Sequence, residues 1–202
     1  MGRHREFSPE QALDAALEVF WRQGFEGTSL ADLTAATGVA APGLYSAFGN
    51  KEAFFLKAVE RYEVKYMGFM VEALAQPTAH KVIETMLRHN AKLLAGKSHP
   101  TGCLGVNGAV ACSEASEPIR LELVRRRRAS EAVLSERLRA AEAAGELPDG
   151  VSAEDLARFV MTVSQGMAVQ AKAGASLKQL DRVIDLALIG IAERGKGHSR
   201  RK

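Results

Sequence analysis

The residues best suited to contact another molecule lie in one stretch, between Thr37 and Glu52. Gly38 can adopt the positive φ of a tight turn without a Cβ clash, so it can join two short helices. Such a helix-turn-helix can place its second helix in the major groove of DNA. One tyrosine, Tyr45, and one lysine, Lys51, are left over in this stretch for such a partner. The stretch therefore predicts a DNA-contacting surface.

In the helix after this turn, some residues must pack into a core while others face the partner. Val39 and Leu44 are predicted to pack inward against Leu30 and Leu33. Pro42 is compatible with the first helical turn, where its missing N–H has no intrahelical partner. The residues predicted to face DNA from this helix are Ala40, Ala41, Pro42, Gly43, Tyr45 and Ser46.

A helix further upstream would complete a three-helix unit that positions this surface. Ser8 can cap that helix, Pro9 suits its first position, and Gln11 can close a capping box. Gly24 is expected to end the helix, near Phe25. The apolar residues at helical spacing within it are Leu13, Ala16, Leu17 and Phe20.

This arrangement resembles the N-terminal domain of the TetR family of transcriptional regulators. The resemblance covers about the first fifty residues and rests on several features that agree in their spacing. These are a first helix over residues 8–23, the phrase Thr28-Ser29-Leu30-Ala31-Asp32-Leu33, and the ending Leu44-Tyr45-x-x-Phe48 followed by Lys51-Glu52. The family resemblance implies a DNA-binding regulator.

The resemblance also implies roles for individual residues. Tyr45 matches a tyrosine that reaches a phosphate or base edge, although it could instead cap the small core. Lys51 matches a lysine that grips the phosphate backbone from the start of the fourth helix. Thr28 matches a hydroxyl residue at a helix start that contacts phosphate through its N–H group, although a pure capping role fits nearly as well. Phe48 is expected in the core.

Two positions depart from the family pattern. Relatives often carry a hydroxyl residue and a basic residue where this chain has Ala40 and Ala41. Direct hydrogen-bond recognition of bases therefore has few donors here. Contact with thymine methyl groups, or recognition of groove shape, becomes more plausible.

Charge supports DNA binding only locally. The chain has 27 basic and 24 acidic residues, and the basic C-terminal tail holds Arg194, Lys196, Arg200, Arg201 and Lys202. Solvation is the favoured role of that tail, and without it acidic residues are in excess. The N-terminal arm contains Arg3, His4 and Arg5. This arm could follow the DNA backbone or enter a minor groove, and solubility alone explains it equally well.

The rest of the chain also predicts helices, because apolar residues keep the helical period up to breaks at glycine and proline. The expected fold is all-α with about nine helices. Residues 1–50 form the helix-turn-helix DNA-binding domain, and residues 51–202 form a larger helical ligand-binding and dimerisation domain. Its helices are predicted from residue 51 to before Pro77, at 82–94, 103–112, 117–144, 153–173 and 177–193.

The last two helices, 153–173 and 177–193, carry more apolar residues than a lone surface helix requires. They could close the core of one subunit. A helix-turn-helix gains affinity and register from a twofold mate, however, and TetR-like proteins pair through their last two long helices. A homodimer held by a four-helix bundle is therefore the favoured prediction.

Polar residues among apolar ones predict a small-molecule pocket in the middle helices, where the family has one. Each polar residue could instead be exposed or satisfied internally, so the region is better supported than its individual members. The predicted ligand-binding residues are Met86, His89, Asn90, Leu93, Cys103, Asn107, Val110, Met161 and Gln165.

Cys103 is a possible redox or electrophile sensor. It lies where a loop becomes a helix, and free N–H groups there favour a thiolate. Some TetR-like repressors with a similar Gly-Cys-Leu phrase respond through the cysteine, which raises this expectation. The alternative is a small buried hydrophobic residue.

Other functional classes receive little support. The chain has no glycine-rich phosphate loop, no spaced metal-ligand set and no recognisable catalytic triad, so neither an enzyme nor a cofactor is predicted. No run is apolar enough to cross a membrane, and the bacterial cytosol is the expected location. The predicted function is a repressor that binds a palindromic operator until a ligand or modification shifts its recognition helices. The alternative is a helical small-molecule sensor without specific DNA binding.

Overall fold

The computed structural model of the chain describes residues 8–107 and 113–192, and all regular structure in these ranges is helical. This confirms the all-α fold with an N-terminal helix-turn-helix. The arm residues Arg3, His4 and Arg5, the residues Val110 and Cys112, and the basic tail lie outside the described residues. The helices are α1 (Pro9–Gly27), α2 (Leu30–Thr37), α3 (Ala41–Phe48), α4 (Lys51–Tyr66), α5 (Phe69–Leu74), α6 (Ala79–Leu94), α7 (Leu104–Asn107), α8 (Glu117–Ala143), α9 (Ala153–Lys172) and α10 (Leu177–Ala192), with a 3-10 turn at Glu114–Ser116.

The chain divides into two compact units. Unit 1 takes its described residues from Met1–Met67, Ser98–Pro100 and Leu104–Leu123. Unit 2 takes them from Gly68–Lys97, Thr101–Cys103 and Val124–Lys202. The compact unit that holds α1–α3 also contains α4, α7 and the start of α8. The predicted boundary between a DNA-binding and a regulatory domain at residue 50 stays a prediction.

Unit 1 has an aromatic core. The Trp21 ring meets the edge of Tyr62 at 4.7 Å between centroids, and Phe20 meets Phe55 in the same way at 5.1 Å. Phe48 is buried, as predicted, and stacks on a ring of α4. Edge-to-face and offset stacked geometries are favoured by the charge distribution of aromatic rings. These contacts fix α1, α3 and α4 against one another.

Polar contacts reinforce the packing of α1 on α4. The Arg61 guanidinium donates two hydrogen bonds to the Asp14 carboxylate, at 2.9 and 3.0 Å. The Lys65 ammonium lies 3.4 Å from the same carboxylate. These contacts hold the pKa of Asp14 below its usual value, and the hydrogen bonds from Arg61 contribute most to that lowering.

Unit 2 has a core of aliphatic and methionine side chains. The Arg88 guanidinium on α6 joins that helix to α10 by pairing with the carboxylates of Asp181 and Asp185. Just before the start of α6, the backbone carbonyls of Leu74 and Gln76 accept hydrogen bonds from the Arg137 guanidinium on α8. The turn between α5 and α6 is thereby held to α8.

Two predicted helices differ from the structure. The helix from Lys51 ends at Tyr66 and not near Pro77, because it is interrupted before Phe69 at Gly68, a poor helix former. The helix expected over residues 103–112 is described only from Leu104 to Asn107. Cys103 therefore precedes this helix.

Candidate nucleic-acid interface and regulatory residues

The helix-turn-helix is fixed by local hydrogen bonds at its turn. Ser29 and Asp32 form a capping box that begins α2. Gly38 then has φ 70°, and its N–H donates to the carbonyl of Thr34 at 3.0 Å. Most other residues avoid this positive φ, so Gly38 makes the abrupt change of direction into α3 possible.

Helix α3 turns its apolar residues inward and leaves its predicted DNA-facing residues accessible. Leu44 and Phe48 are buried together with Leu33 of α2, as predicted, while Val39 is half-buried. Tyr45 is 46% exposed, so its side chain does not lie wholly in the core. Of the other predicted residues, Ala40, Pro42 and Ser46 are exposed, and Ala41 and Gly43 are half-buried.

Gly43 has a packing role in addition to its predicted place at the DNA surface. A Cβ at this position would lie 3.0 Å from Cγ1 of Val39. Such a contact is tighter than normal van der Waals packing, so a larger residue would require the Val39 side chain to move aside. Glycine therefore allows α3 to approach the chain just before it.

Lys51 lies half-buried at the first position of α4, immediately after the N-cap residue Asn50. Its ammonium stands over the Phe25 ring, 4.6 Å from the centroid. Burial lowers the pKa of Lys51, while the negative charges of Glu26 and Asp32 act in the opposite direction. The lysine is held in place, and ordering it at a phosphate would cost less entropy than ordering a free side chain.

The predicted phosphate contact through the N–H group of Thr28 stays a prediction, while its hydroxyl has an internal partner. Thr28 is 0% exposed, and its hydroxyl donates to the carbonyl of Gly24 at 2.7 Å. Gly24 has φ 74° and interrupts α1, so its carbonyl is available to a side chain. The hydroxyl thus closes the kink in α1, and the capping role at α2 belongs to Ser29.

The sequence analysis assigned no role to Glu26, whose carboxylate lies near the end of α1. One oxygen of Glu26, Oε1, accepts hydrogen bonds from the N–H and the hydroxyl of Ser113, each at 2.6 Å. Asn107 also reaches α1, and its amide donates to the Trp21 carbonyl at 3.5 Å. Because 87 residues separate Glu26 from Ser113, no local pattern indicates the pairing.

Several predicted ligand-binding residues lie together on α6 and α9 of unit 2. Met86, Asn90 and Leu93 are buried on α6, and Met161 is buried on α9. The Asn90 amide donates to the hydroxyl of Ser164 at 2.7 Å, so this polar group has an internal partner and also links the two helices.

The remaining ligand candidates differ in their surroundings. The His89 ring lies 5.9 Å from the Phe69 ring, and its Nδ1 is buried with no hydrogen-bond partner in the described structure. Gln165 and Cys103 are half-buried in unit 2. Asn107 belongs instead to unit 1, where it contacts α1.

Helices α9 and α10 leave large apolar side chains accessible. Leu186 is 71% exposed and Ile189 is 51% exposed, three residues further along α10. Such side chains on neighbouring turns form an apolar strip, which in a soluble chain often marks an interface. The other exposed apolar side chains of this helix pair are Phe159, Val169, Leu177 and Val183.

Two other kinds of site are absent from residues 8–107 and 113–192. No cluster of three or more histidine, cysteine or acidic side chains there could hold a metal ion. Within the same ranges, no helix combines the length and apolar character needed to cross a membrane.

Comparison with protein families gives two matches that together cover most of the chain. Residues 12–58 match the model for bacterial regulatory proteins of the tetR family. Residues 81–187 match the model for the tetracyclin repressor-like C-terminal domain.

Individual relatives agree with the family models. The transcriptional repressor ComR of Escherichia coli is 33% identical over 189 residues, covering 93% of this chain and 90% of ComR. The repressor BdcR of the same organism is 27% identical over 181 residues, covering 89% and 86%. The structure of a cysteine mutant of the TetR family regulator CifR, in complex with 26-base-pair operator DNA, has a TM-score of 0.86. It is 36% identical and covers 93% of this chain and 98% of CifR.

Proposed function

Since the chain belongs to the TetR family of bacterial transcriptional regulators, we propose that it is a repressor that binds a palindromic operator as a homodimer. The observation that carries this proposal is the exposed face of α3, with Tyr45 accessible and Lys51 held at the start of the next helix. Operator DNA implies a cytoplasmic location.

The chemistry of α3 indicates how this surface would recognise DNA. Tyr45 and Ser46 offer hydroxyl groups, whereas Ala40, Ala41 and Pro42 offer only apolar contact beyond the backbone. Methyl and methylene groups can contact the thymine methyl group in the major groove. We therefore propose that sequence preference depends on apolar contact and DNA shape, and that Tyr45 and Lys51 supply phosphate contacts.

The exposed apolar strip of α10 and its neighbours on α9 support the dimer. Pairing these two helices with the same helices of a second copy would form a four-helix bundle and remove the strip from water. A dimer would also set the distance between two recognition helices. For two successive major grooves on one side of DNA, that distance is about 34 Å.

An operator-binding assay with Tyr45 variants tests the DNA proposal. DNA from the region upstream of the gene is titrated with wild-type protein, Tyr45→Phe and Tyr45→Ala. If the hydroxyl contacts phosphate, Tyr45→Phe weakens binding about fivefold, the size of one hydrogen bond. Tyr45→Ala should weaken it further, because the ring is also lost. Wild-type affinity in both variants would contradict the proposed surface.

We propose that release from DNA begins in unit 2, in the region of α6, α9 and the residues just before α7. This region would hold a small-molecule effector among Met86, Asn90, Leu93 and Met161, with His89 and Gln165 beside them. Support comes from the buried Nδ1 of His89, a polar atom available to a ligand. Ligand-induced stabilisation against heating would identify effectors, because a ligand that binds only the folded protein raises Tm.

Modification of Cys103 is a second proposed route to release. The thiol is half-buried. Cys103 lies directly before α7, where the chain passes from unit 2 to unit 1. The relative CifR was studied as cysteine mutants, which is a reason to test thiol chemistry here. Operator release by an electrophile is compared for wild type and Cys103→Ser. Equal release by both would rule out Cys103 as the sensor.

A further inference from the structure

Two glycines lie on the exposed faces of α9 and α10. Gly166 is inside α9 and Gly190 is inside α10, and both are exposed. A Cβ added at either position would have no atom of the described residues within 4 Å. Met167 and Ala168, which directly follow Gly166, are buried and hold α9 against the core of unit 2. Packing among the described residues of one subunit therefore does not require glycine at either position.

Glycine is unfavourable inside a helix, because it loses more backbone freedom on folding than any other residue. Compared with alanine, each such glycine shifts the folding equilibrium towards the unfolded chain by about two- to fivefold. Neither Gly166 nor Gly190 has the positive φ that would favour glycine over alanine. A compensating benefit arises if another chain approaches the helix backbone at these positions.

The neighbours of each glycine indicate what kind of chain would approach. On α9, the exposed Phe159 lies two turns before Gly166, and the exposed Val169 lies almost one turn after it. On α10, the exposed Leu186 lies about one turn before Gly190. Residues at these spacings share one face of a helix. Each glycine is therefore a gap in an apolar face, where another helix can come close while large side chains pack around it.

We propose that Gly166 and Gly190 are the positions at which the helix pair α9–α10 of one subunit approaches the same pair of a second copy most closely. The inference rests on the proposed homodimer and specifies where its helices cross. A second copy fits because each helix offers both a gap and exposed apolar side chains, so the surface can be complementary to itself, as a twofold interface requires. The glycines would then select one register of the four-helix bundle.

Alanine variants test this inference through the dimer dissociation constant, measured by analytical ultracentrifugation. Gly166→Ala and Gly190→Ala should each raise it about tenfold or more, because the added methyl group enters a closely packed crossing at two symmetry-related places. Gly68→Ala is the matched control. Gly68 also belongs to unit 2, has helical φ and ψ, and has no described atom within 4 Å of an added Cβ. This control should dimerise within about twofold of wild type.

The stability of the monomer should change in the opposite direction. In a Leu186→Glu background, where the charge is expected to prevent dimerisation, Gly166→Ala should lower the unfolding equilibrium constant about two- to fivefold, since only helix propensity remains. Urea unfolding measures this change. A less stable monomer would instead mean that Gly166 serves the packing of its own subunit, and this result would overturn the inference.

Sedimentation alone also decides the question if the Leu186→Glu protein does not fold. Gly166→Ala and Gly190→Ala proteins that dimerise as tightly as wild type and Gly68→Ala would overturn the inference, because the proposed crossing would then have room for a methyl group. A wild-type protein that stays monomeric while it binds operator would contradict the proposed homodimer itself. That result differs from a wild-type dimer that tolerates alanine at both positions.

Discussion

The buried side chains of unit 1 and unit 2 are of different kinds. In unit 1 the core contains interlocking rings, among them Phe20, Trp21 and Phe55, each fully buried. In unit 2 the buried apolar side chains of the described residues are aliphatic or methionine, with Met86 and Met161 among those considered for a pocket. Both units are helical, so the difference lies in how their helices are held.

This difference corresponds to two physical requirements. Flat rings have few rotatable bonds and preferred mutual angles, so they hold helices in one arrangement. A surface that must match DNA needs such fixed geometry. Methionine and aliphatic side chains adapt more easily to a change in shape, which suits a region that must accommodate an effector. The aromatic core therefore fits recognition, and the aliphatic core fits regulation.

The largest effect is expected at the apolar strip of unit 2. Leu186→Glu would place a carboxylate in the proposed four-helix bundle, and an unpartnered buried charge costs several kcal/mol. The dimer should dissociate in analytical ultracentrifugation, and operator affinity should fall more than tenfold. Val133→Glu, on α8, is the matched control because Val133 is also exposed. A dimeric Leu186→Glu protein would show that the dimer uses another surface.

A matched pair of core changes tests the contrast between the two units. Phe55→Leu removes ring contacts with Phe20 and Phe25 and should cost about 1–3 kcal/mol of unfolding free energy, since each aromatic pair contributes about 0.5–1.5. Met161→Leu in unit 2 conserves volume and should cost less than about 1.5 kcal/mol. Denaturant unfolding measures both. Equal losses of unfolding free energy would contradict the proposal that the core of unit 2 adapts more easily than that of unit 1.

A smaller, pH-dependent effect is expected at Asp14. Its folded-state pKa is lowered, so its pairing with Arg61 stabilises the protein above the usual carboxyl pKa near 3.8. That contribution is lost as the pH falls through the folded value. Both side chains are about one-third exposed, so Asp14→Asn should cost only about 0.5–1 kcal/mol at neutral pH. Urea unfolding should show the difference shrinking in acid, and a constant difference would mean that charge is not its cause.

Local features of unit 1 could be predicted from the sequence because they depend on neighbouring residues. The turn at Gly38, the burial of Leu44 and Phe48, and the break in α1 at Gly24 all follow from backbone preference or helical periodicity. Thr28 was harder to place. Two adjacent hydroxyl residues can each cap a helix, and only the path of the chain shows that Ser29 does so.

Contacts between distant segments could not be predicted in the same way. Nothing in the local pattern near Glu26 indicates that Ser113 donates to it. Helix α7 belongs to unit 1 and contacts α1 through Asn107, which no local pattern indicates either. In unit 2, periodicity predicted that Asn90 would lie among apolar residues but not that Ser164 would accept its hydrogen bond. A helical pattern gives the face on which a residue lies, whereas its partner depends on how helices cross.

The salt dependence of operator binding tests directly whether Lys51 contacts a DNA phosphate. Each phosphate contact releases counterions, so loss of the Lys51 contact should reduce the slope of log affinity against log salt by about 1. Lys57→Ala is the control, because it removes the same charge from α4 about 9 Å further along the helix axis and on another side. We expect a reduced slope and weaker binding for Lys51→Ala, with Lys57→Ala close to wild type. Identical slopes for Lys51→Ala and wild type would contradict it.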